Sequence, residues 1–297
     1  MAKCFIVSPF GIDQGSLPGG THYVNDEIKL EPLSDVLKAR LVDYLDTVKL
    51  EDLSQLVRQK PVYVVPNSSF SISKDSSDAE ATDEVLQLHR FTAEQFAGAV
   101  VPMAAFNFDG EKVLAHSFDR TDLMAGNVPV QMNALAWESH LTYLGFVYKR
   151  IGKATSAPLA IRRLCRANRA GPSSEGIIDL AISLECLVNA QTEIKFQFAL
   201  NHALTNSDDM ASRFGAFELL QSLYDLRSTV VHGGVMGKAD KKKLAVITDK
   251  WPELMSISRN SITYYLHFCA KYDHASWAVH LRKLALGDTR VGLEDAP

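Results

Sequence analysis

Arg227 and His232 stand with four residues between them, at the end of an apolar run and just ahead of Gly233-Gly234. An arginine is always charged, and its planar fork matches the oxygens of a phosphate or carboxylate. A histidine titrates near neutral pH and moves protons in either direction. The two types together suit an electrostatic clamp beside an acid/base. The bare spacing is a weak signal, since a chain of this composition produces it about once by chance. An arginine in a surface pair and a histidine at a helix C-terminus, where a cation suits the macrodipole, is the ordinary reading. Five residues on a helix turn through about 140°, so the two side chains do not share a face.

Three further residues are candidates for support. Ser228 either hydrogen-bonds in a cleft or bonds back to its own helix. Tyr224, one turn earlier, either stacks a base or serves as a core or interface aromatic. Glu185 lies in the apolar run Ile177–Leu187. If buried it needs a partner, and orienting Arg227 is one role open to it.

With these flanks, the region from about Pro158 to Tyr272 resembles the HEPN superfamily, and within it the ApeA-like group. Three stretches carry the resemblance. Pro158-Leu159-Ala160-Ile161-Arg162-Arg163-Leu164 is like the family's opening helix, and Ile177–Leu187 is like its apolar helix with a Leu-Glu pair, here Leu184-Glu185. The third, Leu223-Tyr224-Asp225-Leu226-Arg227-Ser228 through Val231-His232-Gly233, is the most specific, because the flanks match along with the arginine and histidine. One position departs: relatives often carry an arginine near Asn201 as a candidate partner of the helix glutamate, and this chain has none there.

The resemblance implies a metal-independent endoribonuclease in toxin or anti-phage defence, with RNA as substrate and no cofactor or metal. His232 would be the acid/base and Arg227 the clamp on the phosphorane charge. It also implies a homodimer through the C-terminal domain, with both Arg-His pairs in one cleft. A regulatory or antitoxin partner belongs to the same expectation. The alternatives are a non-catalytic HEPN module that binds RNA or a partner, and a purely structural helical dimerisation domain.

Two domains are expected to position this motif: residues 1–152, a mixed α/β-rich domain that senses or selects substrate, and 153–297, an all-helical HEPN-like bundle. The chain as a whole then reads as α+β. In the first part, Cys4–Phe10, Pro61–Val65 and Val85–Phe91 read as strands, and Phe106–Phe118 as a hairpin about Asp109-Gly110. Leu33–Leu56 reads as one helix with Ser34 as its cap, and Ser68–Asp83 as a surface loop. Asn127–Lys149 fits strands or a helix. In the second part helices are expected at Pro158–Arg169, Ile177–Val188, Glu193–Leu204, Ala211–Val231 and Leu244–Tyr272.

Composition narrows the rest. A net charge of −4 argues against a protein that coats nucleic acid by bulk electrostatics. It leaves room for a local basic cleft, and two basic clusters exist: Arg162, Arg163, Arg166 and Arg169, and Lys238, Lys241, Lys242 and Lys243. The 4 cysteines lie far apart without zinc spacing and read as buried free thiols. His202, His267, His274 and His280 lack ligand spacing and read as structural. No apolar run is long enough to span a bilayer, and the N-terminus does not read as a signal peptide, so a cytoplasmic location is expected. Gly15–Gly20 lacks the lysine and helix of a P-loop, and Gly-x-Ser-x-Gly is absent.

Overall fold

The structure, a computed structural model, describes residues 2–6, 22–23, 29–49, 51–59, 62–65, 91, 104–109, 112–118, 142–143, 145–147, 150–188, 192–233 and 237–290. They fall into two compact units, Met1–Lys149 and Arg150–Ala296.

In the first unit, β1 (Ala2–Ile6), β2 (His22–Tyr23), β3 (Lys29–Pro32), β4 (Val62–Val65), β5 (Ala104–Asp109) and β6 (Lys112–Phe118) are short backbone strands. They pair antiparallel in the order β2-β3-β4-β1-β5-β6. Two helices follow β3: α1 (Asp35–Thr47) and α2 (Glu51–Gln59). Ser34 caps α1, its Oγ accepting from the Leu37 N–H at 3.4 Å. The single helix expected over Leu33–Leu56 is therefore two. The break falls at Lys49, whose φ of 59° is left-handed and cannot continue a right-handed helix.

The expectation of an α+β chain with a mixed α/β N-terminal domain is overturned: the residues whose side chains are described are 80% helical, and the fold there is mostly helical. Phe91, at the end of an expected strand, is helical, as are 142–143 and 145–147 in the segment left open between strand and helix. Phe91, Tyr143 and Phe146 are buried, with ring centroids 6.3 Å and 5.7 Å apart in sequence order. Short apolar runs do not distinguish a strand from a buried helix segment, and here tertiary burial decides. The loop expected over Ser68–Asp83 and the rest of Val85–Arg90 lie outside the described residues.

The second unit is built from α3 (Ala157–Ala170), α4 (Ser174–Glu185), α5 (Ile194–Asn206), α6 (Met210–Val231), α7 (Lys238–Asp249), α8 (Trp251–Lys271) and α9 (Trp277–Ala285). A 3₁₀ turn, His274–Ser276, precedes α9. The helix expected over Leu244–Tyr272 is two helices meeting at Lys250. Pro252 sits in the first turn of α8, where a missing N–H costs nothing and the ring clashes with any preceding helical turn.

α3 and α4 form a tight hairpin. Gly171 takes φ +61° at its turn, and a Cβ on Gly176 would lie 1.8 Å from the Gly171 carbonyl oxygen, so only glycine fits. Ser183 Oγ donates to the Ala160 carbonyl at 2.7 Å across the hairpin. α8 is the central helix, with Leu254, Ile262, Tyr264, Tyr265 and Leu266 almost wholly buried, and it packs on α3, α4 and α5. α5 and α6 pack against each other, with Phe196 edge-on to Phe217 at 5.5 Å. Trp277 Nε1 donates to the Leu187 carbonyl at 2.6 Å and seats α9.

A polar knot sits inside this core. His202 of α5 is 2% exposed. Its Nε2 lies 3.1 Å from the Leu184 carbonyl, so Nε2 carries the proton, and Nδ1 lies 3.1 Å from Ser261 Oγ of α8. Asn206 Nδ2 donates to the same Ser261 Oγ at 2.9 Å. Burial pushes the His202 pKa down to about 4, against the opposing pull of the Leu184 carbonyl.

That displacement has a sign. The folded-state pKa lies below the ordinary 6.5, so the stability is present above pH 6.5 and is lost as pH falls through about 4. Urea titrations at pH 7 and pH 4 should show a loss of about 3 kcal/mol in wild type that His202→Gln lacks. Equal losses in both proteins would show that His202 is charged while buried, or not buried.

Candidate functional site

Arg227 sits near the end of α6, on the side of the helix that meets α4. Its Nη2 donates to Glu185 Oε2 at 3.0 Å, and each side chain is 24% exposed. Its guanidinium carbon lies 5.8 Å from the centroid of the Tyr224 ring, within reach of a cation–π contact. Tyr224 in turn lies 5.3 Å from the Phe198 ring, and Phe198 lies 5.3 Å from His202. The buried knot thus continues outward, ring by ring, to the guanidinium. The knot also fixes the other partner, because the Leu184 carbonyl that His202 holds immediately precedes Glu185.

The arginine is only partly used. A guanidinium has five N–H groups. Nε is buried and, among the described residues, has no hydrogen-bond partner. Burial raises the Glu185 carboxyl above its ordinary 4.5, and the charge and hydrogen bond of Arg227 pull it back only in part. The ionised pair is therefore held in a place that disfavours it.

His232 is the C-cap of α6 and is exposed. Its N–H donates to the Ser228 carbonyl at 3.1 Å. Gly233 follows at φ +64°, and its N–H donates to the Val230 carbonyl at 3.1 Å. This left-handed residue ends the helix at the histidine. Among the described residues, no hydrogen bond or ion pair joins the His232 side chain to Arg227, Glu185 or Tyr224. The fold therefore gathers Arg227, Glu185 and Tyr224, and leaves His232 at the helix end. Ser228 is half-buried one turn before His232.

Neighbours outside the motif complete the surroundings. Asp225 accepts from Lys195 Nζ of α5 at 2.7 Å and from Lys243 Nζ of α7 at 2.6 Å. Burial raises its carboxyl, but the two lysine bonds and charges outweigh this and hold it below the ordinary range. Sequence reading singled out Lys243 only as one of a run, and Lys195 not at all. No spacing rule links 195, 225 and 243, which meet only through packing of three helices. In the other basic cluster, Asp179, 5% exposed, takes Arg163 Nη1 at 2.5 Å and Arg166 Nε at 3.4 Å. These two arginines are thus engaged in holding α3 to α4.

Cys165 and Cys269 are buried and, among the described residues, in no disulfide, while Cys186 is only half-buried at the end of α4; Cys4 lies outside the described side chains. His280 stacks on Phe268 at 4.8 Å, and its Nε2 lies 2.8 Å from the Tyr264 hydroxyl. Among the described residues no group of three or more His, Cys, Asp or Glu is placed to hold a metal ion. No helix among them is long and apolar enough to cross a membrane. No family model, curated protein or solved structure matches the chain.

The Glu185–Arg227 pair should respond asymmetrically to substitution. Glu185→Gln removes a carboxylate that burial disfavours, and should leave stability at pH 7 unchanged or raised. Arg227→Ala strands that carboxylate half-buried and should cost about 1–3 kcal/mol. Urea unfolding of both variants at pH 7 is the measurement, and equal losses would contradict the asymmetry.

Proposed function

We propose that this protein is a HEPN-type, metal-independent endoribonuclease acting in toxin or anti-phage defence, with Arg227 and His232 as its catalytic groups. The observation that carries the reading is the state of the two residues: a guanidinium oriented by Glu185 and Tyr224 with Nε still unspent, and an exposed histidine at a glycine-terminated end of the same helix. Phosphate charge and a titrating proton carrier are what strand cleavage needs.

In the proposed reaction, His232 takes the proton of the ribose 2′-OH. The 2′-oxygen attacks phosphorus, the bond to the 5′-oxygen breaks, and a second acid delivers a proton to that leaving oxygen. Arg227 neutralises the phosphorane oxygens. The products are a 2′,3′-cyclic phosphate and a 5′-hydroxyl. The second acid is the His232 of another copy in a homodimer formed through the helical unit. Two features support pairing. Arg227 and His232 are about 140° apart around α6 and so do not converge within one chain. Met210, Phe214 and Val231 of α6 are exposed apolar side chains.

The non-catalytic reading has one observation in its favour, since Glu185 already occupies one edge of Arg227. Activity separates the two. His232→Ala and Arg227→Ala should each lower RNA cleavage at least about a hundredfold, the scale of a lost proton-transfer group or charge clamp, while the helical circular dichroism persists. Cleavage should continue in excess EDTA and leave cyclic or 3′-phosphate ends. A variant that cuts at the wild-type rate, or a strict need for added Mg²⁺ with 3′-hydroxyl products, removes the reading.

Assembly is tested separately by light scattering over a dilution series, with cleavage followed in the same samples. A dimer whose specific activity falls on dissociation is expected. A monomer fully active at every concentration would eliminate the composite site and leave the residue assignment standing.

A further inference from the structure

We propose that Lys195 and Lys243, held on either side of Asp225, form an additional phosphate-binding subsite for single-stranded RNA, an inference that rests on the RNA-cleaving reading above. The three residues come from three helices, α5, α6 and α7. Each ammonium lies within 2.7 Å of its own carboxylate oxygen. An ammonium has three donors and no acceptor, so each lysine retains two N–H groups after bonding Asp225. Both side chains are open to solvent, Lys195 at 40% and Lys243 at 35%. Two cations on one anion leave a net positive charge of about one, at fixed positions.

Position connects this charge to the motif. On α6 a residue turns through about 100°, which puts Asp225, Ser228 and His232 within about 60° of one another on one face. Asp225 and His232 are two turns apart, about 10 Å along the axis. Arg227 lies on a different face, toward Glu185. The lysines and the arginine therefore contact different phosphates: Arg227 the one that reacts, the lysines another along the same strand. A bridging carboxylate between two lysines fixes them without satisfying them, as a phosphate platform requires.

The test uses the full chain and a fluorescent single-stranded RNA 2′-O-methylated at every ribose, which binds but cannot be cut through a 2′-OH. Affinity is measured across a KCl series. Each of Lys195→Met and Lys243→Met should lower the slope of log affinity against log salt by about 0.7, the value for one lost phosphate on a single strand. Lys195→Arg and Lys243→Arg should keep the wild-type slope. Asp225→Asn should not lower it, because the cations remain. Circular dichroism of each variant accompanies the binding data. A wild-type slope in both methionine variants overturns the subsite, as does a loss that arginine fails to restore or a wild type that does not bind the strand. Cleavage of the unmodified strand is read separately. Lysine-dependent binding without any cleavage keeps the subsite and removes the nuclease reading. Normal cleavage with both lysines replaced does the reverse.

Discussion

The helical unit depends on one buried imidazole. His202 is shut between the Leu184 carbonyl at the end of α4 and Ser261 in the middle of α8. A polar ring in an apolar core is costly unless both nitrogens are satisfied. Here both are, and only in one arrangement of three helices. The same contact holds the end of α4, next to the carboxylate of Glu185. Phe198 and Tyr224 extend the contact to Arg227 by ring-to-ring packing. The position of the guanidinium thus follows from the core rather than from the surface helix that bears it.

The candidate site trades stability for orientation. Burial raises the Glu185 carboxyl although a guanidinium lies 3.0 Å away, and among the described residues Arg227 Nε has no acceptor. Buried ion pairs of this sort give little net stability and hold a cation in one pose. Asp225 behaves differently. It is more exposed, has two lysines, and its carboxyl is held below the ordinary range. One helix, within three residues, carries an ion pair under strain and one at ease. The strained one lies on the arginine of the motif.

Termination matters as much as packing. α6 ends at His232 because Gly233 turns left-handed and its N–H closes on Val230. Between α3 and α4 the corresponding work falls to Gly171, by its left-handed φ, and to Gly176, where the backbones approach too closely for a Cβ. Arg163 and Arg166, which as a sequence cluster suggested a phosphate site, are drawn to Asp179 at that hairpin.

The sequence by itself determined the second unit's helices at α3 to α6, since their apolar runs and the glycine stops at Gly171 and Gly233 are local signals. It also displayed Arg227 and His232 and the candidacy of Glu185, because residue type and spacing are printed in the chain. It misjudged what depends on context. The α+β reading came from short apolar runs whose secondary structure is settled by what buries them, and the long helices over 33–56 and 244–272 broke where Lys49 and Pro252 stand. Only the tertiary structure decided that Glu185 meets Arg227 across 42 positions, that His202 is sealed in the core, and that Lys195 and Lys243 converge on Asp225. Such pairings are set by which helix faces pack together, and no periodicity within one segment records them.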